Sequence, residues 1–403
     1  MIQPIILFFI LILLIVVTVL KFKFRFWSAQ PVFHLYDVSY YFFYTGIILK
    51  DLPEKSRYTN FKDIETLTFG KNVKQMDNKR FIQLLNRHYL RNGNNEFSPK
   101  EQNVLPYFEG HNSPCFLSFY KAEESLHHEK TGEITRINKP IGVITSRPTN
   151  VTLRRLKKGT TRFEAAYVDY LCVDKSHRKK GISEQLIATH NYNQCILKKT
   201  SEIAVFKKEG VLTGIVPICV FGIHIFSMRK WNKPHDLLPP YSIVECGTSN
   251  MHHLYDFLRN DKVKGMIDLQ IEPEMTNVMS LMKSKNIFIY LLLEQQAGVV
   301  GCYFFRKSCT TMEKGKEILI CFASINGSNE TAFIHGFKQS LSQVCLKKES
   351  EFHYAAIEEI CDNDIIVANI KLKTWPEATI PAAYFFYNYA LPTLPAKKVL
   401  ILN

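Results

Sequence analysis

The stretch Tyr167-Val-Asp-Tyr-Leu-Cys-Val173, continued by Asp174-Lys-Ser-His-Arg178-Lys-Lys-Gly181-Ile-Ser183, decides the fold. Its first seven residues are aromatic and β-branched enough to read as the end of a strand spanning residues 162–173. The apolar positions Ile182, Leu186 and Ile187 then follow a helical period over residues 181–197. Between strand and helix lies the pattern Arg-x-x-Gly-x-Ser. Glycine permits a close backbone approach, and a helix start presents unpaired N–H groups with a positive dipole end. A strand, a basic glycine turn and a helix start together make a cradle for a pyrophosphate.

Outward from this stretch the pattern is mixed. Helices are predicted at 78–90, with Phe81, Leu84, Leu85 and Tyr89 on one face, and at 252–259, 275–283 and 331–346. Strands are predicted at 115–122, 139–145, 202–212, 287–293, 298–305, 317–323 and 353–360. Each half thus offers a meander of strands, a helix and another strand. Pro234, Pro239 and Pro240 mark the joint.

The composition fits a folded protein: 46% of residues are apolar and 13% aromatic. The formal net charge of +14 suits an anionic partner, whether nucleic acid, phospholipid or a phosphate-bearing cofactor. Nucleic acid is not expected, because no stripe of alternating basic and aromatic residues marks a binding face after residue 27. The ten cysteines form no CxxC pair and read as reduced thiols. The adjacent pairs His127-His128 and His252-His253 point apart on a strand or lie about 100° apart on a helix, so no metal site is expected.

Residues 1–20 carry no charge, and Ile5 to Leu20 is almost wholly apolar. Lys21, Lys23 and Arg25 follow at once. Twenty helical residues span roughly 30 Å, the thickness of a bilayer core, and basic flanks stay on the cytoplasmic side. A transmembrane anchor over 1–20 is therefore expected, holding the rest of the chain at a membrane and facing the cytosol.

Three motifs in order resemble the protein N-myristoyltransferase family. Phe26-Trp27 with Gln30-Pro31-Val32 resembles its KFWxTQPV. The segment Asp169-Tyr-Leu-Cys-Val-Asp-Lys-Ser-His-Arg-Lys-Lys180 resembles its Asn-Phe-Leu-Cys-Val-His-Lys-Lys-Leu-Arg-Ser-Lys. The C-terminus, Tyr387-Asn-Tyr389 through Pro392 to Lys398-Val-Leu-Ile-Leu-Asn403, resembles its YNWxCP…KVGLVLQ end. The resemblance implies an α+β fold of two GNAT-like acyltransferase halves related by a pseudo-twofold, preceded here by one transmembrane helix. Residues 21–232 would bind acyl-CoA and residues 233–403 a peptide.

It also implies roles. Arg25, Phe26 and Trp27 would pack against coenzyme A. Tyr170 and Leu171 would offer backbone N–H groups to the thioester oxygen, with Cys172 and Val173 continuing that strand. Lys179, Gly181, Ile182 and Ser183 would hold the phosphates, and the α-carboxylate of Asn403 would take the proton of the attacking amine. The activity implied is myristoyl transfer from myristoyl-CoA to an N-terminal glycine of peptides or nascent proteins, by a monomer with no permanent cofactor. A catalytically altered acyl-CoA-binding homologue, or an acyltransferase with a different acceptor, is the alternative.

The acceptor side departs from the family pattern. Its acidic peptide-receiving stretch aligns with Arg91-Asn-Gly-Asn-Asn-Glu96. Its YTAGVVLP aligns with Phe206-Lys-Lys-Glu-Gly210-Val-Leu212, and its Tyr-x-His with Phe226-Ser-Met228.

Overall fold

The computed structural model describes residues 2–90, 95–127, 134–156, 159–210, 214–229, 231–313, 315–346 and 352–403. Fourteen strands are named in chain order. The first seven are β1 (Ile64–Thr68), β2 (Phe116–His127), β3 (Ile134–Leu156), β4 (Gly159–Val173), β5 (Ala204–Glu209), β6 (Cys219–Ser227) and β7 (Tyr241–Glu245). The rest are β8 (Leu269–Glu272), β9 (Ile287–Glu294), β10 (Gly298–Glu313), β11 (Lys316–Asn326), β12 (Phe352–Glu358), β13 (Ala378–Tyr387) and β14 (Val399–Ile401).

They run in one sheet in the order β14-β8-β3-β4-β5-β13-β6-β12-β11-β10-β9-β7. Strand β2 pairs with β3, β1 with β2, and the two residues Glu96–Phe97 with β10. The helices used below are α1 (Ile2–Lys23), α2 (Gln75–His88), α3 (Ile182–Lys198), α4 (Met251–Arg259), α5 (Met275–Lys283), α6 (Glu330–Leu346) and α7 (Asn363–Lys371).

The same motif occurs twice. The hairpin β3–β4 leads through α3 to β5, which pairs parallel with β4. The hairpin β10–β11 leads through α6 to β12, which pairs parallel with β11. A right-handed crossover through a helix is the usual way to make such a parallel pair.

The chain then exchanges strands. β13, from near the C-terminus, inserts between β5 and β6, while β6 pairs with β12 on its other side. A boundary drawn between residues 232 and 233 therefore separates chain segments that share one sheet. The last strand, β14, returns to the far edge and pairs with β8, which pairs with β3.

The expected transmembrane anchor is corrected. The apolar residues do form a helix, α1, but no helix among the described residues is long and apolar enough to cross a membrane. The expectation of a membrane-anchored chain facing the cytosol falls with it. The helix does not stop at Leu20 to leave a free apolar cylinder. It runs on through Lys21 and Lys23, and its end is used by the protein. Phe24 and Leu20 close over Gly214, where a Cβ would meet their ring and methyl carbons at 3.4 and 3.6 Å. Lys21 Nζ lies 5.5 Å from the centre of the Tyr36 ring.

Candidate acyl-CoA site

Strands β4 and β5 pair only at Ala166–Val168 with Ala204–Phe206. Beyond Val168, β4 continues alone on that side, and it also slips against β3. Val143 faces Cys172 while Thr145 faces Asp169, so Tyr170 and Leu171 bulge out without register partners. Tyr170 has φ 50°, a left-handed conformation costly for a non-glycine residue. Two contacts hold it. Its N–H donates to Asp169 Oδ1 at 2.8 Å, and its ring meets Phe81, Phe108, Tyr89 and Phe97 at centroid distances of 5.6 to 6.5 Å. Bulges of this kind turn backbone groups out of the ladder.

Leu171, Cys172 and Val173 then line a cavity of about 410 Å³ with His88, Tyr89, Leu90, His177, Arg178, Lys179, Ile182 and Ser183. The bulge and the helix start therefore share one cavity. Lys179 (φ 63°) and Gly181 (φ 73°) are both left-handed, and Gly181 is the N-cap of α3, with no side chain to satisfy the helix N–H groups. A Cβ on Gly181 would meet nothing within 4 Å. The glycine is required by its φ, and the space before it is open. Left-handed residues followed by helical ones gather successive N–H groups into an anion-binding nest.

The basic residues divide. Arg178 is engaged: Nη2 donates to His88 O at 2.5 Å and Nε to Val173 O at 3.2 Å, tying the end of α2 to the end of β4. Lys179 and Lys180 are exposed. Ser183 Oγ donates to Glu184 Oε2 at 2.9 Å, so an incoming phosphate would compete with that carboxylate. Asp174 accepts from Ser176 N and Oγ at 2.9 and 2.7 Å. Burial raises its pKa, but those two bonds and the nearby His88 and His177 bring it below the usual value. His88 is held below its usual value by burial, against the pull of Asp174. Cys172 is packed: burial pushes its thiol up to about 12, and it lies 3.9 Å from Leu84 O.

The other expected contacts lie elsewhere. Arg25, Phe26 and Trp27 do not line this cavity. Phe26 is buried edge-on against Trp27 and Tyr58, Trp27 stacks on Phe206 at 5.6 Å, and Arg25 is exposed. Phe226 is buried in the core. Ser227 and Met228 line a separate cavity of about 120 Å³ with Arg229, Lys316, Phe352, His353 and Tyr354. Residues 91–94, 128 and 211–213 lie outside the described residues, and with them most of Arg91–Glu96, half of the first histidine pair and the end of Phe206–Leu212. His252 and His253 stack 3.9 Å apart on α4, and no metal-binding cluster occurs among the described residues.

Around Asn403, which the sequence reading names, stand residues that it does not. Asn403 is 8% exposed, beyond β14. Arg306 of β10 donates from Nη1 to Asn403 O at 2.9 Å and from Nη2 to Glu358 Oε1 at 2.6 Å. Arg147 of β3, only 2% exposed, donates to Asn403 Oδ1, and its guanidinium lies 5.0 Å from both the Tyr107 and Tyr167 rings. Arg147 thus links the terminus to Tyr167, two residues before Asp169. Lys207 completes the cluster through Glu209 and Glu358 at 2.9 and 3.1 Å. Burial opposes the charge on Arg306, and Glu358 more than restores it. A signal existed in the sequence: Arg147 and Arg306 interrupt the apolar runs 141–145 and 299–305. A cation inside a buried strand implies a buried partner.

The second copy of the motif is closed by its own chain. Beyond its pairing with β12, β11 slips at Phe322 as β4 does at Tyr170. Here Asn363 fills the gap. Its Nδ2 donates to Cys321 O and Glu358 O at 3.3 and 2.7 Å, and it accepts from Ser324 Oγ at 2.5 Å. Asp362 N donates to Ser324 O, and Asn326 N to Asp362 Oδ2. Among the described residues the copy at β4–β5 has no such side chain named in its gap, and the cavity described above lies there.

No family model matches the sequence, and no curated protein matches it. Solved structures do. Saccharomyces cerevisiae N-myristoyltransferase with bound myristoyl-CoA superposes over 92% of this chain and 94% of its own, with a TM-score of 0.66 and 13% identity. The same enzyme with bound myristoyl-CoA and inhibitors covers 92% and 91%, with a TM-score of 0.67 and 12% identity. A tandem GNAT protein from the clavulanic acid biosynthesis pathway covers 82% of this chain and all of its own, with a TM-score of 0.52 and 11% identity. The chain has the GNAT-like α+β fold of N-myristoyltransferase.

Proposed function

We propose that this chain is an acyl-CoA-dependent acyltransferase and a divergent relative of the N-myristoyltransferases, transferring a myristoyl group from myristoyl-CoA to an N-terminal glycine amine. One observation carries the reading. Leu171 of the unpaired bulge, and Lys179, Ile182 and Ser183 on either side of the uncapped helix start, line the same cavity. The helix start, with Lys179, Gly181, Ile182 and Ser183, would take the phosphates. Cys172 and Val173 would flank the thioester arm. The N–H of Leu171, joined by that of Tyr170 once it leaves Asp169 Oδ1, would stabilise the oxyanion, each such donor contributing typically about 10²–10³-fold in rate. Arg25, which is exposed, and the half-buried Trp27 would meet the coenzyme beyond this cavity, with buried Phe26 packed behind them. No side-chain nucleophile is needed, since a neutral amine attacks a thioester directly.

Residues 21–232 would thus form the donor half and residues 233–403 the acceptor half. The α-carboxylate of Asn403 would receive a proton from the attacking nitrogen. It is held by Arg306, and that contact supports the second reading, an acyltransferase whose acceptor differs from a bare glycine terminus. Incubation of the full chain with radiolabelled myristoyl-CoA and glycine-starting peptides tests the first reading. Acyl-peptide with equimolar free thiol is expected. Thiol release only with other amines would favour the second reading, and acyl-CoA bound without turnover would overturn both.

A further inference from the structure

We propose that Asp169 is a catalytic residue, the carboxylate that receives the acceptor's ammonium and takes its first proton. This rests on the acyl-transfer reading above and adds to it a residue that reading does not use. Asp169 immediately precedes the bulge, and its Oδ1 already accepts the Tyr170 N–H at 2.8 Å. Its Oδ2 carries no hydrogen bond among the described residues. Thr145 Oγ1 donates to its backbone oxygen at 3.0 Å, which steadies the strand at that point. Asp169 raises the pKa of Tyr89, Tyr107, Tyr167 and Tyr170, each already raised by burial, and Arg147 works against it at three of them. Two residues earlier on the same strand, the Tyr167 ring lies 5.0 Å from Arg147, which donates to Asn403.

The terminus is a poor first receiver for a cation. Arg306 sits on its oxygen and Arg147 on its side chain, so an approaching ammonium meets two guanidinium groups there. At Asp169 it meets a carboxylate next to the bulge, and neutralising that carboxylate loosens its Oδ1 from the Tyr170 N–H and frees the N–H for the oxyanion. The aligned family residue is an asparagine, which cannot take a proton, so the carboxylate is a departure of this chain.

The step balances. The acceptor enters as R–NH₃⁺, and one proton passes to Asp169 and from there to solvent. The freed lone pair forms the C–N bond to the thioester carbon, and the C–S bond breaks. The second proton shed by nitrogen passes through the Asn403 carboxylate to the leaving thiolate. Amide, free thiol and one proton result.

The test compares the full chain with Asp169→Asn, which keeps an acceptor for the Tyr170 N–H, using myristoyl-CoA and a glycine-starting peptide. At pH 7 the kcat of the variant is expected to fall about 100-fold, with the KM for acyl-CoA unchanged. The deficit should shrink as pH rises past about 8, where the peptide amine is already neutral. Wild-type turnover in the variant at pH 7, a loss that does not change with pH, or weakened acyl-CoA binding would each overturn the assignment. Should Asp169→Asn not fold, Asp169→Ser retains a hydrogen-bond acceptor and is read in the same way. A wild-type chain that transfers to no amine would overturn the acyl-transfer reading itself, and this outcome is distinct from any behaviour of the variants.

Discussion

Arg306 Nη1 donates to the backbone oxygen of Asn403 at 2.9 Å, joining a strand of the second motif to Asn403 beyond β14. Its other nitrogen holds Glu358, which is 1% exposed. Removing one partner of a buried ion pair leaves the other charge uncompensated, at a cost of about 3–5 kcal/mol. Arg306→Met is therefore expected to lower stability by about 3 kcal/mol, the lower end, because Lys207 still reaches Glu358. Replacing Glu358 by Leu in the same chain should recover part of the loss. Urea unfolding of the two variants checks this.

Gly181 stands at φ 73° with open space before it. Alanine there meets no clash but must adopt a left-handed conformation, at about 1 kcal/mol. Gly181→Ala should thus leave the fold intact while disturbing the nest. Acyl-CoA binding is expected to weaken about tenfold, equivalent to ~1.4 kcal/mol. Calorimetric titration with acyl-CoA measures it. Unchanged affinity would remove the helix start from the phosphate site.

His190 is 2% exposed between Ser118 Oγ and Ser146 Oγ, at 2.8 and 2.9 Å. Burial lowers its pKa to about 3. The unfolded chain, with a histidine near 6.5, binds more protons between those values. Its contribution is therefore fully present above pH 6.5 and is lost as pH falls toward 3. Between pH 7 and pH 4 the loss should reach about 3 kcal/mol. His190→Gln should flatten that part of the stability profile, measured by denaturant unfolding across the range.

Asn363 is fully buried in the gap of the second motif. Truncation to alanine removes the bonds to the Cys321 and Glu358 carbonyls and the acceptor of the Ser324 hydroxyl, while Glu358 O keeps the Ile360 N–H. Each stranded buried group costs about 1–3 kcal/mol. Asn363→Ala should therefore destabilise the protein by at least ~2 kcal/mol without altering acyl-CoA affinity. Thermal melting and a binding titration on the same sample separate the two effects.

Much of the fold was legible where period and length agreed. The helices expected at 181–197 and 331–346 are α3 and α6, displaced by one residue, and the paired meanders appear as β3–β4 and β10–β11. Strands β8 and β14 were not legible. Each is only three or four residues long, and it is a strand because of its neighbours rather than its own pattern. β13 was missed for another reason: Pro381 interrupts its run, and its place between β5 and β6 depends on both segments that flank it. By composition the apolar opening of the chain reads as a membrane span, since composition is blind to where a helix ends and what its last turn touches.

The sequence by itself determined the strand, turn and helix start at 167–183. The order strand, basic turn, glycine and helix is local, and 167–183 needed no distant partner to be read. Only the tertiary structure decided what surrounds Asn403. Arg147, Arg306, Glu358 and Asn403 are up to 256 positions apart in the chain, and they form one cluster because β14 returns to the edge beside β8. A buried charge requires a partner, but no local pattern says which one. That choice was made by the sheet.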